Sequence, residues 1–250
     1  MIVIKNEAEI ALMIKAGEVT AKILKELPEI IRPGISTYEI DKWIEDYIKR
    51  NDMKPAFKGY GGFPATACIS VNEELIHGIP SKKKILREGD IVSVDLGTIY
   101  KDYYSDAART YPVGKISEEN EKLIRVAKES FFAGLEYARE GNRLGDVSHA
   151  IQTYIEAAGF SVIRDYVGHG VGRNLHEDPQ VPNYGKAGHG PKLVKGMTLA
   201  IEPMISAGDF DVEVLENDWT VVPTDGSYTA HYENSIVITD GEPILLTCLD

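Results

Sequence analysis

The sequence is poor in cysteine and contains no long apolar run. Only two cysteines, Cys68 and Cys248, occur among its 250 residues, which is too few for a disulfide framework. No stretch of about 18 consecutive apolar residues is present, so we expect neither a transmembrane helix nor a membrane partner. Charges at Lys5 and Glu7 interrupt the N-terminus too early for a secretory signal. These absences predict a cytoplasmic protein.

Positive charge is also scarce. The chain has 27 lysines and arginines against 39 aspartates and glutamates, which gives a formal net charge of −12. Because nucleic-acid binding depends on a basic surface, we expect no direct nucleic-acid partner. An acidic excess ordinarily favours solubility alone, but part of it is available to hold cations.

Helical and strand patterns alternate along the chain. Capping boxes predict a first helix that begins at Asn6 and is limited by Pro28, and a second that opens at Ser36. A third helix is predicted from Glu118 to Glu140, and Gly159 stops a fourth. The predicted strands are Ile91–Leu96, Tyr103–Val113, Thr198–Glu202 and Ser235–Thr239.

An internal duplication is visible in the spacing of similar residues. Three pairs recur at a separation of 107 positions: Gly34 and Gly141, Gly89 and Gly196, and Asp95 and Glu202. A single recurrence of this length predicts two similar halves rather than a solenoid, whose repeats are shorter. We therefore predict an α+β fold in which two pseudo-symmetric α/β halves surround a central antiparallel sheet. No low-complexity linker divides the chain, which favours one domain over residues 1–250.

Four carboxylates are the first candidates for chemistry. Asp95 and Glu202 each end an apolar strand. Asp106 and Glu233 follow on what the pattern predicts to be the next antiparallel strand of each half. A carboxylate at a strand end ordinarily faces water, but an ionised carboxylate near a core is costly unless it is paired or bound to a metal. Four such charges would balance two divalent cations, as in two-metal hydrolytic sites.

Three histidines lie beside turn residues rather than on helical stripes. His169 has glycine on both sides, which permits the close backbone approach that a crowded metal site requires. His77 and His176 lie in similar turn-rich stretches. A lone histidine is more often structural than a ligand, so the spacing by itself leaves both interpretations open.

Other catalytic motifs are incomplete. His176 and Glu177 could begin the HExxH motif of zinc peptidases, but Gln180 replaces the second histidine and Pro179 would break the helix. The glycines at 168 and 170 could begin a dinucleotide fingerprint, but Arg173 stands where the third glycine is required. Neither a G-x-S-x-G nucleophile elbow nor a phosphate-binding G-x-x-x-x-G-K-[ST] loop occurs.

These residues resemble the D-D-H-E-E metal pattern of the pita-bread metallopeptidases, in the order Asp95, Asp106, His169, Glu202 and Glu233. Within that superfamily the chain resembles, nearly from end to end, the short bacterial form of the type I methionine aminopeptidases. The stretches that carry the resemblance are Cys68–Asn72, His77–Pro80, Gly168–Gly172, His176–Pro179, Ala200–Met204 and Asp218–Thr220. The resemblance implies the pita-bread fold and a single catalytic domain over residues 1–250.

The resemblance also implies which metal ion each ligand would bind. Asp106 and Glu233 would bridge two divalent metal ions, Asp95 would hold one of them, and His169 and Glu202 would hold the other. Oxygen-rich ligands with one imidazole suit cobalt, manganese, iron, zinc or nickel. The metals would lower the pKa of a bridging water, and the resulting hydroxide would attack the first peptide bond.

Further implied residues bind substrate or move protons. Glu202 would shuttle the proton to the leaving nitrogen, while His77 and His176 would hydrogen-bond the scissile amide and the developing oxyanion. The implied pocket for the methionine side chain is lined by Tyr60, Phe63, Cys68, His77 and Trp219. The chain departs from the common family pattern at Phe57, Phe63, Leu175 and Asn234.

The implied activity is removal of the initiator methionine when the second residue is small. The implied partners are N-terminal peptides of nascent proteins, with a transient ribosome contact, and the implied assembly is a monomer. The rival hypotheses are a prolidase or Xaa-Pro aminopeptidase, a creatinase-like enzyme, and a non-enzymatic binding protein on the same fold. Prolidases usually carry an extra N-terminal domain, for which this chain leaves no room.

Overall fold

The computed structural model describes residues 1–249 of the chain. Its α-helices are α1 (Glu7–Ile30), α2 (Thr37–Arg50), α3 (Glu118–Leu135) and α4 (Leu144–Ala157). Both predicted capping boxes are confirmed, because the side chains of Asn6 and Ser36 each accept a hydrogen bond from the backbone N–H of the glutamate three residues later. The third helix ends earlier than the predicted Glu140, where the chain tightens into turns after Gly134.

Pro28 does not limit α1, contrary to the prediction. The helix continues to Ile30. A proline has no N–H to donate to the carbonyl four residues earlier, which here belongs to Leu24. The hydroxyl of Tyr111 donates to that carbonyl at 2.7 Å. The buried acceptor is therefore paired from outside the helix, and the helix tolerates the proline.

The strands are short and pair antiparallel. In chain order they are β1 (Lys54–Pro55), β2 (Ala67–Val71), β3 (Ile91–Leu96), β4 (Thr98–Tyr100), β5 (Tyr103–Tyr104), β6 (Ala107–Pro112), β7 (Ser161–Val162), β8 (Gly168–Gly170), β9 (Glu177–Val181), β10 (Thr198–Ile201), β11 (Met204–Ser206), β12 (Val212–Val214), β13 (Val221–Pro223), β14 (Thr229–His231), β15 (Asn234–Val237) and β16 (Ile244–Leu245). The predicted strand at Ile91–Leu96 is confirmed, and those starting near Thr198 and Ser235 are confirmed within two residues.

The predicted strand Tyr103–Val113 is wrong as a single element, because it divides into β5 and β6. The break falls at Ser105 and Asp106. The backbone N–H of Asp106 donates to the Ser235 hydroxyl at 3.0 Å, and that hydroxyl donates to the Asp106 carbonyl at 2.8 Å. At Asp106, the Ser235 side chain from the other half of the molecule thus replaces the backbone hydrogen bonds that a neighbouring strand would make.

Two antiparallel sheets position the four candidate carboxylates. The first has the strand order β2-β3-β6, and the second has the order β16-β15-β10-β8-β9. They meet where the backbone N–H of Glu233 donates to the carbonyl of Ala108 at 2.9 Å. The hydroxyl of Thr110 adds a second link by donating to the His231 carbonyl at 3.0 Å. The end of β6 and the segment between β14 and β15 therefore form the centre of the molecule.

A helix pair precedes each of these sheets in the chain and packs against it. Ile44 of α2 and Val94 of β3 are fully buried in one apolar cluster, and Phe131 of α3 and Leu199 of β10 are fully buried in another. Burial of each such side chain contributes about 1.5–3 kcal/mol, so the central strands rest on two substantial cores. No helix within residues 1–249 combines the length and apolar character that a membrane crossing requires. That residues 1–250 act as one catalytic domain stays a prediction.

Candidate active site

Four carboxylates converge where the two sheets meet. Asp95 lies on β3 opposite Cys68 and Ala108, and Asp106 directly precedes β6. Glu202 directly follows β10, and Glu233 lies between β14 and β15. Asp106 and Glu233 are only 4% and 2% exposed. Within residues 1–249, one oxygen of each of Asp95, Asp106 and Glu233 is buried without a hydrogen-bond partner. Such unpaired oxygens require another ligand.

Burial raises the pKa of all four carboxyl groups above their ordinary values. For Asp106 the pKa rises to about 8. At Asp95, Glu202 and Glu233, repulsion from neighbouring carboxylates is the second cause of the raised pKa. A cation among these groups is the simplest way to keep them all ionised at neutral pH.

His169 supplies the nitrogen donor of the group. Its Nε2 lies 3.5 Å from Oδ2 of Asp106 and 3.5 Å from Oε1 of Glu202. Its Nδ1 lies 2.8 Å from the Gly170 carbonyl, where only a protonated Nδ1 can donate a hydrogen bond. The Nε2 lone pair is then free to bind a metal beside the two carboxylates. Donor atoms of Asp106, His169 and Glu233 all lie within 4.8 Å of one another.

The glycines around His169 are required by close backbone contacts. A Cβ at Gly168 would lie 2.3 Å from the Ala200 carbonyl oxygen, and one at Gly170 would lie 2.3 Å from the Asp178 carbonyl oxygen. This crowding is what the glycine pattern predicts. Four carboxylates, one imidazole and several unpaired oxygens are a donor set that fits divalent cations.

A cavity of 260 Å³ opens beside the carboxylates. All of the residues predicted to bind substrate line it: Tyr60, Phe63, Cys68, His77, His176 and Trp219. Its wall also includes Phe57 and Leu175, two positions at which the chain departs from the family pattern, and Ile76 and Tyr166, which were not predicted from the sequence. The rings of Phe63 and Trp219 meet edge to face at 5.1 Å. Burial raises the pKa of the Cys68 thiol well above its ordinary value, so the pocket presents a neutral sulfur.

His77 and His176 flank this cavity as neutral imidazoles. Burial, reinforced by a neighbouring histidine, lowers the pKa of each to about 4. Nδ1 of His176 lies 2.8 Å from the Tyr60 hydroxyl, and its ring packs against that of His169 at 4.3 Å. His77 has a positive φ of 58°, an unusual conformation for a residue with a side chain. Its ring contacts those of Tyr166 and Trp219.

Two residues of the central segment were not singled out from the sequence. His231, at the end of β14, is 1% exposed, and burial lowers its pKa to about 3. It lies two positions before Glu233, a spacing that places both on one side of an extended chain. Arg109 donates to the Glu233 main-chain carbonyl and, at 2.7 Å, to Oδ1 of Asn234. Arg109 therefore links Asn234 to the main chain of Glu233.

Comparison with known proteins also indicates a metallopeptidase. Residues 11–240 match the model of metallopeptidase family M24. The chain is 57% identical over 247 residues to a methionine aminopeptidase of Clostridium acetobutylicum, covering 99% of each protein. It is 51% identical to the crystal structure of a methionine aminopeptidase of Thermotoga maritima, with a TM-score of 0.98 and complete coverage of both chains.

A prolidase of Pyrococcus furiosus has the same fold at lower identity. The TM-score is 0.81 at 26% identity, and the match covers 99% of this chain but 66% of the prolidase. These similarities confirm the predicted mixed α+β fold of the pita-bread type. In this chain each helix pair is followed by an antiparallel sheet, which has three strands after α1 and α2 and five strands after α3 and α4.

Proposed function

Because this chain belongs to metallopeptidase family M24, we propose that it releases N-terminal methionine from polypeptides by hydrolysis of the first peptide bond. It is a metal-dependent peptide hydrolase. The observation that carries the proposal is the 260 Å³ cavity of aromatic rings and one thiol directly beside the cluster of carboxylates. The chain matches bacterial methionine aminopeptidases over 99–100% of both lengths, and this supports the type I form of the activity.

The cavity chemistry suits the side chain of methionine. Contacts between a sulfur and an aromatic ring contribute roughly 0.3–1.5 kcal/mol each, and Phe63 and Trp219 offer two rings. Cys68, opposite Asp95 in the register, joins this apolar wall to the acidic cluster. A substrate with its side chain in the cavity would therefore present its charged α-amino group to the carboxylates. A second residue with a small side chain leaves the most room at the rim.

The five donors are proposed to hold two divalent cations. Asp106 and Glu233 would bridge them, Asp95 would hold one, and His169 and Glu202 would hold the other. Such cations, drawn from manganese, iron, cobalt, zinc or nickel, polarise a carbonyl and lower the pKa of water when bound.

Three side chains would then transfer the proton and stabilise the charge that develops on the substrate. Glu202 would accept a proton from the attacking water and deliver it to the leaving nitrogen. His176, with Nδ1 engaged by Tyr60, keeps Nε2–H for the developing oxyanion. His77, which also lines the cavity, would donate to the scissile amide.

The cellular setting is also part of the proposal. The substrates would be the N-termini of nascent proteins in the cytoplasm, met by a monomer in transient contact with the ribosome. The free thiols of Cys68 and Cys248 suit a reducing compartment. Co-sedimentation with ribosomes that carry a short nascent chain tests the contact; sedimentation equally weak with and without ribosomes contradicts it.

The test of the activity is metal-dependent release of methionine from Met-Gly-Met. The manganese-loaded protein should release methionine, chelation should abolish release, and re-addition of Mn²⁺ should restore it. Glu202→Ala should lower kcat by about 10²–10⁴-fold, because it removes the proton carrier. Glu119→Ala, at an exposed acid on α3, is the matched control and should change nothing. Cleavage of Ala-Pro peptides without cleavage of Met-Gly-Met would identify a prolidase instead.

A further inference from the structure

His231 is a buried polar side chain whose ring has no partner. Neither ring nitrogen forms a hydrogen bond within residues 1–249, although the residue is 1% exposed. Its main chain is held on both sides by one hydroxyl, since the N–H donates to Oγ1 of Thr110 at 2.9 Å and the carbonyl accepts from it at 3.0 Å. These two bonds fix the main chain from which the imidazole projects. An imidazole here costs folding free energy relative to an apolar residue of similar size unless it has a task.

The unpaired ring is directed at the acidic cluster. Nε2 of His231 lies 3.7 Å from Oε2 of Glu202 and 3.9 Å from Oε2 of Glu233. The other charged or titratable groups near it are His77 and Arg109. Arg109 is already engaged with the main chain and an amide, so the carboxylate oxygens are the acceptors within reach.

The two oxygens of Glu202 face two different imidazoles. Oε1 lies 3.5 Å from Nε2 of His169, and Oε2 lies 3.7 Å from Nε2 of His231. Nδ1 of His169 donates to a carbonyl, so its Nε2 offers a lone pair and can share a cation with Oε1. The other carboxylate oxygen, Oε2, faces Nε2 of His231. A protonated Nε2 would attract this oxygen, whereas a lone pair on Nε2 would repel it.

We propose that His231 is a positioning residue that, as the Nε2–H tautomer, donates to Oε2 of Glu202 and thereby orients Oε1 toward the cation shared with His169. The hydrogen bond holds the carboxylate in one rotamer and leaves one oxygen for the metal. Partners that orient a metal ligand in this way typically change metal affinity or activity by about 10- to 100-fold when removed. The role in catalysis rests on the proposed function, whereas the role in metal binding does not.

The test compares His231→Leu, which removes the donor, with His231→Gln, which keeps an N–H at similar reach. By calorimetry, Leu should weaken Mn²⁺ binding by about 10- to 100-fold and Gln should restore most of it. With Met-Gly-Met at saturating Mn²⁺, Leu should lower kcat and leave KM nearly unchanged. The melting temperature of the chelator-treated Leu variant should equal or exceed that of the original protein, because an unpaired buried polar group is gone. His149→Leu, at an exposed histidine outside the site, is the control and should alter neither binding nor kcat.

Several outcomes overturn the inference. Unchanged Mn²⁺ affinity in His231→Leu contradicts it, and so does a Gln variant as weak as the Leu variant. A ring nitrogen spectrum of the zinc-loaded protein that shows the proton on Nδ1 of His231 contradicts the tautomer and the inference with it. If the original protein binds Mn²⁺ but does not release methionine from Met-Gly-Met, the proposed function fails, and the affinity comparison still tests His231.

Discussion

His176 illustrates how one side chain can be tested apart from the metal. Its Nδ1 contacts the Tyr60 hydroxyl, and it is not one of the five proposed metal ligands. Replacing His176 by Ala should lower kcat on Met-Gly-Met by about 10²–10³-fold, because a donor to the developing oxyanion is lost. The bound manganese per chain, measured by elemental analysis, should not change.

His189→Ala provides the matched control, because His189 is exposed and bonds only a nearby carbonyl. It should retain both activity and metal. Loss of manganese from a folded His176→Ala variant would mean that His176 is a ligand and that its assigned role is wrong.

Trp219 tests the pocket. Its ring contacts Phe63 and His77 at one wall of the cavity. Trp219→Ala should lower kcat/KM for Met-Gly-Met by about 10- to 200-fold, the range expected when apolar complementarity to a side chain is lost. Trp43→Ala, on α2 beside Tyr47 and outside the cavity, should leave kcat/KM unchanged. Equal losses in both variants would point to general destabilisation rather than to a specificity pocket.

At the residue scale, the sequence reveals groups that stand beside recognisable turns and strand ends. Asp95 and Glu202 are recognisable because each ends an apolar strand, and His169 because glycines surround it. His231 is not recognisable from the sequence, because it lies inside an extended segment, where a histidine is ordinary. Its significance depends on the direction of its ring toward Glu202, which is a tertiary property.

At the scale of elements, α1 depends on a bond from outside the helix. Tyr111→Phe removes the hydroxyl that pairs the Leu24 carbonyl opposite Pro28. An unpaired buried carbonyl costs about 1–3 kcal/mol, so the melting temperature should fall by at least about 2–4 °C. Activity should not change, because Tyr111 does not line the cavity. Thermal unfolding of the variant measures the effect.

Tyr47→Phe is the comparison for this prediction. The Tyr47 hydroxyl donates to Glu26 at the surface, where water can replace it. Its loss should shift the melting temperature by less than about 1 °C. A similarly small shift for Tyr111→Phe would show that the Leu24 bond does not stabilise α1.

Element boundaries follow from the sequence where the determinants are local. The capping boxes at Asn6 and Ser36 involve residues three positions apart, and both helix starts are confirmed. The continuation past Pro28 depends on Tyr111, 87 positions from Leu24. The division of β5 from β6 depends on Ser235, 129 positions from Asp106. Neither long-range partner can be read from the local pattern.

For the whole molecule, the buried carboxylates make stability depend on pH and metal. Their folded pKa values are raised above the unfolded values of about 4, to about 8 for Asp106. Between those values the folded protein binds more carboxyl protons than the unfolded chain, so the carboxyl contribution to the stability of metal-free protein falls as pH rises. The buried histidines, whose pKa values are lowered, oppose this trend only below about pH 6.5. The melting temperature of chelator-treated protein should therefore be higher at pH 5 than at pH 8.

Divalent cations should reverse this trend. They bind the ionised carboxylates of the folded protein, so Mn²⁺ should raise the melting temperature more at pH 8 than at pH 5. Thermal unfolding at the two pH values, with and without Mn²⁺, measures both effects. A chelated protein more stable at pH 8 would show that the four carboxyl groups are compensated without a metal.

The internal duplication in the sequence predicts the architecture of the whole molecule. Gly34 and Gly141, Gly89 and Gly196, and Asp95 and Glu202 share one spacing, and a helix pair followed by an antiparallel sheet recurs in both halves. That regularity makes the α+β architecture predictable. The interface between the halves is less predictable, because it is built from single contacts such as Glu233 with Ala108.

We propose that divalent cations bind beside the methionine pocket to five residues, Asp95, Asp106, His169, Glu202 and Glu233. Anomalous diffraction from crystals of the manganese-loaded protein grown with methionine would locate both the cations and the ligand. We predict two anomalous peaks, both within ligand distance of these five residues, and the methionine side chain between Phe63, Cys68 and Trp219. Manganese bound elsewhere, or methionine outside this cavity, would contradict the account.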